Sequence, residues 1–237
     1  MKKYLQVTPI LNFKTTEIQK LIDEKGWKGL DDEQKVKQIY KFVRDEIKFG
    51  YNKSDNIEAT QVLADGYGQC NTKATLLMAL LRAVGIPNRI HGFTIDKALQ
   101  KGAINGLWYQ LAPQNILHSW VEVKLSDKWF FLEGVILDQC YLNQLQEKFK
   151  DRGASFCGYG VFTEDFLNPQ IEFEMRNTFI QEKGINQDFG VFDDPDSFYA
   201  EHQQQLSFIR KFIYEKLVRF LMNRNVDQIR KLADRSN

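Results

Sequence analysis

Long apolar runs are missing from this chain. None approaches the roughly 20 residues that a bilayer-spanning helix needs, so no transmembrane helix is expected. The opening stretch, Met1-Lys2-Lys3-Tyr4-Leu5-Gln6-Val7-Thr8-Pro9, lacks a sustained apolar segment, and a secretory leader is not expected either. Cysteine is scarce: three in 237 residues, at irregular spacing, exclude a disulfide framework and suit a reducing compartment. An excess of one charge is also absent. A net charge of +1 with 27% charged residues offers no global attraction to nucleic acid and no disordered tail. There is no CxxC or HxxxH pair to hold zinc, no run of spaced acidic residues to hold calcium, no internal repeat and no low-complexity tract. Together these absences lead to the expectation of a soluble, cytoplasmic protein that needs no metal and no cofactor.

What is present is enough for a sizeable core: 43% of residues are hydrophobic and 13% aromatic. Helices are expected over Glu17–Lys25 and from Asp31. In the second, Gln34 stands three residues after Asp31, and Val36, Ile39, Tyr40, Val43 and Ile47 recur at helical intervals. A short helix over Ile57–Ala64 precedes the turn Gly66-Tyr67-Gly68, and a long apolar helix runs from Cys70 to a stop at Gly85 and Pro87. Beyond it, Arg89–Ile95 reads as a strand, and Gln100–Leu117 reads mostly as a loop. Ser119–Leu125 alternates with period two and turns at Ser126-Asp127 into Lys128–Glu133, which makes a hairpin. Asp194-Pro195 opens a long C-terminal helix with a break expected near Asn223–Asn225. Helices first and antiparallel strands second predict an α+β fold. Residues 1–150 are expected to form its core, and 151–237 an extension packed on it.

The chemistry gathers around Cys70. A thiol at a helix N-terminus faces unpaired N–H groups and a partial positive charge, which favour the nucleophilic thiolate. Such a nucleophile needs a base and a group to orient that base. His118 lies at the mouth of the hairpin and Glu133 at the far end of its second strand, so closing the hairpin brings them together. Backbone N–H groups at the start of the Cys70 helix, that of Cys70 itself included, are placed to stabilise an oxyanion.

Two ordered motifs carry a family resemblance. Gly68-Gln69-Cys70 with its Ala/Leu-rich helix continues into Leu81-Arg82-Ala83-Val84-Gly85-Ile86-Pro87-Asn88-Arg89. His118-Ser119-Trp120-Val121-Glu122-Val123 is followed by Trp129 and an acidic strand end. Over roughly Asn52–Glu133 the chain resembles the transglutaminase-like superfamily. The resemblance implies a papain-like core, with N-terminal helices packed on an antiparallel sheet, and a Cys-His-Asp triad acting on amide or isopeptide bonds. Its members also include inactive scaffolds. Here Glu133 stands where that family's Asp is usual, with Asp138 as the alternative third member.

The expected function is therefore a cysteine-dependent amide hydrolase or acyltransferase working through Cys70, His118 and Glu133 and a thioester intermediate, on a peptide, protein or small amide. The alternative is an inactive fold that binds peptide or protein. Gln69 is expected to cap its turn or to reach the oxyanion. Tyr67, Trp108 and Tyr109 are expected to line the acyl cleft, with Phe156–Gly160 as a second wall. Trp120 and Trp129 are read as hairpin core and Glu122 as its exposed face. Cys140 and Cys157 are read as independent buried thiols; His91 and His202 receive no role. From Arg210 to Asn237 there are eight Lys/Arg against three Asp/Glu on a helix with an apolar stripe at Ile209, Phe212, Ile213, Leu217, Phe220 and Leu221. Such a stripe docks on its own domain or on a second copy of the chain in preference to an anionic membrane.

Overall fold

A computed structural model describes residues 1–232. The first half is helical: α1 (Thr16–Lys25), α2 (Asp32–Asp45), α3 (Ala59–Asp65) and α4 (Cys70–Ala83). Asp31 caps α2 by accepting the N–H of Gln34, as the spacing predicts. Two short parallel strands, β1 (Lys48–Phe49) and β2 (Tyr67–Gly68), tie the exit from α2 to the approach to α4. Gly66, at φ 68°, ends α3 in a left-handed turn. Gly68 has to be glycine for another reason: a Cβ there would sit 2.7 Å from the Thr72 hydroxyl and 2.9 Å from Lys73 Cγ.

The sheet is antiparallel throughout, in the order β5-β4-β3-β8: β3 (Asn88–Asp96), β4 (Asn115–Leu125), β5 (Lys128–Phe131) and β8 (Ile185–Phe192). Between these lie α5 (Gly106–Leu111), α6 (Gln139–Lys148) and the β6–β7 hairpin (Phe156–Gly158 with Val161–Thr163). The stretch expected as loop before His118 thus contains a helix, and β4 starts at Asn115. His118 sits inside the strand, opposite Phe93 of β3. The last helices are α7 (Pro195–Glu201), α8 (Phe208–Ile213) and α9 (Arg219–Arg230), the latter two joined through a π-turn at Tyr214–Val218.

The C-terminal helix departs from expectation in one respect. It breaks at 202–206, between α7 and α8, and runs unbroken through Asn223–Asn225. Those two side chains are occupied elsewhere: Asn223 accepts the N–H of Tyr51 and donates to its carbonyl, and Asn225 donates to the Ala103 carbonyl. Amides that look like helix breakers in sequence serve here as clamps. The basic run counted to Asn237 extends past the described residues.

Two hydrophobic clusters meet at α4. The first packs Leu76, Leu77, Leu80 and Leu81 between α2 (Val36, Ile39, Tyr40, Val43) and the sheet (Ile90, Val121, Val123). The second gathers Phe49, Tyr51, Cys70, Tyr141, Phe166, Met222 and Val226, and holds α9 against α6. Each fully buried Leu or Ile contributes about 1.5–3 kcal/mol. Cys70 belongs to the second cluster although its helix belongs to the first, so the start of α4 lies on the seam between them.

Candidate active site

Gly68 and Gln69 deliver Cys70 to the first turn of α4. The Gln69 N–H donates to the Thr72 hydroxyl, and the Gln69 carboxamide accepts from the Asn52 N–H and donates to Asp55. Both ends of that side chain are engaged in the turn. Cys70 is buried and close enough to act electrostatically on the imidazole of His118, which is fully buried on β4. The two elements are locked together beside the pair: Asn71 donates to the Leu117 carbonyl and accepts the hydroxyl of Ser119.

His118 Nε2 donates to Glu133 Oε1 at 2.8 Å, and both side chains have no exposure. Glu133 begins the turn after β5, and its other oxygen accepts three backbone N–H groups, those of Ile180, Gln181 and Glu182, at 2.8–3.0 Å. Those three bonds fix the carboxylate, which fixes the ring. His118 Nδ1 is then the free nitrogen, with no hydrogen-bond partner among the described residues. Burial by itself would lower the His118 pKa. The charge of Cys70 and its sulfur, then Glu133, outweigh that burial and raise it to about 10. The arrangement favours an imidazolium beside Cys70.

A cavity of about 280 Å³ opens onto Cys70, with Gln69, Asp55 and Trp108 from the first half of the chain and Gln204, Tyr214 and Met222 from the second among its walls. Burial pushes the Asp55 carboxyl up, against hydrogen bonds from Asn71 and Gln69. Of the aromatics expected to line the cleft, Trp108 does. Tyr67 lies on β2 with its hydroxyl against Arg219, and Tyr109 packs under Lys97; neither lines the cavity. The Phe156–Gly160 segment, expected as a second wall, packs Phe156 on Phe166 and Phe149 instead. The C-terminal segment walls the cavity in its place.

Asp138 is engaged elsewhere. It caps α6 through the Tyr141 N–H, accepts from the Phe49 N–H and pairs with Arg230 at 2.6 Å. Glu122, expected on an exposed face, is buried, because Arg89 and His91 on β3 satisfy both its oxygens. His91 also bonds Asp188, and His202 stacks on Phe189. Cys140 and Cys157 are separate thiols, as expected, but they are exposed rather than buried. Among the described residues no group of three or more His, Cys, Asp or Glu side chains could hold a metal ion, and no helix is long and apolar enough to cross a membrane.

Sequence reasoning passed over Asn71, Asp55, Gln204 and the 180–182 loop. Asn71 alone had a usable signal, since a polar side chain next to a helix-start cysteine lies within reach of whatever that cysteine faces. The others join across long separations with no periodicity to announce them.

Residues 21–134 match the family model of the transglutaminase-like superfamily. No curated protein matches. Among solved structures, a candidate cysteine protease from Cytophaga hutchinsonii is 14% identical with a TM-score of 0.47, over 82% of this chain and 47% of that one. Red sea bream transglutaminase is 18% identical with a TM-score of 0.31, over 56% of this chain and 25% of that one. The chain therefore spans about half the length of the first and a quarter of the second.

Proposed function

We propose that this chain, whose residues 21–134 match the transglutaminase-like superfamily model, is a thiol-dependent amide hydrolase or acyltransferase with Cys70 as nucleophile. His118 is its acid–base and Glu133 orients the ring. One observation carries the reading: a fully buried imidazole is held at Nε2 by a buried carboxylate, its Nδ1 has no hydrogen-bond partner among the described residues, and Cys70 acts on the same ring. A packed structural histidine normally uses both nitrogens, because a buried unpaired nitrogen costs about 1–3 kcal/mol.

In the proposed reaction the Cys70 thiolate attacks the carbonyl carbon of a substrate amide. The first-turn N–H groups of α4, which have no intrahelical acceptor, receive the developing oxyanion. As the tetrahedral adduct collapses, His118 gives its Nδ1 proton to the leaving amine, and the acyl group remains on sulfur as a thioester. The imidazole, now neutral, takes a proton from an incoming water or amine, which attacks the thioester and releases Cys70. Hydrolysis is the favoured outcome, since nothing in the sequence identifies an amine-acceptor site. The domain division is proposed along the same line: residues 1–150 as the core, and 151–237 as an extension that closes the cavity.

The test is competitive alkylation with iodoacetamide at neutral pH, read by peptide mass. Cys70, though the least exposed thiol, is expected to react at least about tenfold faster than Cys140 and Cys157. Acyl-adduct trapping with peptide amides is expected to depend on Cys70 and to vanish in Cys70→Ala. Equal, slow reaction of all three thiols would instead favour a peptide-binding scaffold that keeps the fold without the chemistry.

A further inference from the structure

Strand β4 has an open edge next to the candidate nucleophile. β5 pairs only with Glu122–Leu125, and the N–H of Leu132 on the Val121 carbonyl shows which residues turn their main chain to that side: the odd-numbered ones. Asn115 and Leu117 therefore present their backbone groups to the β5 side with no strand among the described residues to receive them. The Leu117 carbonyl is met by Asn71, the residue after Cys70. The Leu117 N–H donates to Gln204 Oε1 at 2.8 Å, and Gln204 Nε2 donates to the Asn115 carbonyl at 3.2 Å.

One carboxamide thus supplies an acceptor and a donor to the two groups that flank Ile116. In an antiparallel ladder those same groups would receive a carbonyl and an N–H from the residues either side of the position opposite Ile116. Gln204 stands in for a short piece of extended main chain, one residue from His118, and lines the cavity that opens on Cys70. The stretch that carries it, 202–206, has no regular structure, lies between α7 and α8, and is flanked by the exposed Gln203 and Gln205. Gln203 ties it back to the Tyr199 carbonyl.

We propose that the 202–206 strap is a built-in competitor of substrate: the Gln204 carboxamide holds the β4 edge that the main chain of an extended peptide substrate takes over on binding. This rests on the reading of Cys70 as nucleophile. A peptide then reaches Cys70 only by displacing Gln204, whereas a small reagent with no main chain to dock does not need the edge.

The experiment compares two reagents on the full-length chain: an acetyl-dipeptidyl chloromethyl ketone, which carries a main chain, and methyl methanethiosulfonate, which has none. Labelling of Cys70 is read by peptide mass. In Gln204→Ala the ketone is expected to react about fivefold or more faster, the effect of removing two neutral hydrogen bonds from the competing state, while methyl methanethiosulfonate stays within about twofold. Gln204→Glu, which cannot donate to the Asn115 carbonyl, is expected to behave alike, and Gln205→Ala to behave as wild type. If Cys70 labels selectively but neither Gln204 variant changes the ketone rate, or if both reagents speed up equally, the strap is not a substrate competitor and the proposal falls alone. If Cys70 labels no faster than Cys140 with either reagent, the nucleophile reading falls and takes the proposal with it.

Discussion

Two buried titratable side chains, His118 and Lys73, push stability in opposite directions with pH. His118 is raised to about 10, so the folded chain holds a proton there that the unfolded chain releases above pH 6.5. Its contribution is complete below pH 6.5 and is lost as pH climbs to about 10. Lys73 is the reverse. Burial lowers it to about 7, with its ammonium nitrogen donating to the carbonyls of Arg44 and Ile136. Between about pH 7 and 10 the unfolded chain binds a proton that the folded chain does not, so this group makes stability rise with pH. In the wild type the two slopes offset. We expect His118→Gln to become more stable from pH 7 to 10 and Lys73→Met to become less stable over the same range, read as urea midpoints at each pH. The same slope in both variants would remove this account of the pair. Glu133→Gln is expected to lower amide turnover by about 10²–10⁴-fold, because the neutral amide neither balances the imidazolium nor fixes its tautomer.

Among elements, α9 is held by a buried ion pair as well as by its apolar face. Arg230 donates to both Asp138 oxygens and to the Phe49 carbonyl, and so joins α9, the cap of α6 and β1. Arg230 holds the Asp138 carboxyl below its ordinary range against the opposing effect of burial. Arg230→Met would leave that carboxylate buried and unpaired, at about 3–5 kcal/mol. We expect the loss to shrink as pH falls and Asp138 takes a proton, since a lowered carboxyl contributes only above its unfolded pKa. Thermal unfolding at pH 7 and pH 4 checks this; an equal loss at both would mean that the pair is not what secures α9. The same helix shows how far sequence carries at this scale. Spacing marked the wrong face of it: of the expected stripe, Ile209, Phe212, Leu217 and Phe220 are exposed and Ile213 and Leu221 half-buried, while Val218, Met222, Val226 and Ile229 turn inward because α6 and β1 lie on that side. The start of α4 at Cys70, its stop at Gly85 and the β4–β5 hairpin were plain from local signals. Break points were harder to read, because Asn223 and Asn225 look like punctuation until their partners on Tyr51 and Ala103 are known. Glu122 misled for a similar reason: alternation assigns it a face, and only pairing with β3 shows that Arg89 and His91 cover that face.

For the molecule as a whole, the His118–Glu133 hydrogen bond and the helix start at Cys70 were legible because one depends on a hairpin and the other on a glycine turn, both local in sequence. Their support was not, because that comes from the second half of the chain. The loop at 180–182 fixes the Glu133 carboxylate, β8 covers the outer edge of β3, and the strap and α8–α9 close the cavity. A cut after residue 150 would therefore leave β3 with a bare edge, Glu133 with an oxygen short of three donors, and the cluster around Tyr141 open to water. Exposed strand edges next to apolar surface promote association. We expect the 1–150 fragment to aggregate, or to remain soluble without selective alkylation of Cys70, whereas 1–232 retains both solubility and selectivity. Gel filtration and peptide-mass alkylation on the two lengths decide the matter. A monomeric 1–150 fragment that unfolds cooperatively and still labels first at Cys70 would mean that the geometry around Cys70 is set by the N-terminal elements alone, with the C-terminal half governing access rather than architecture.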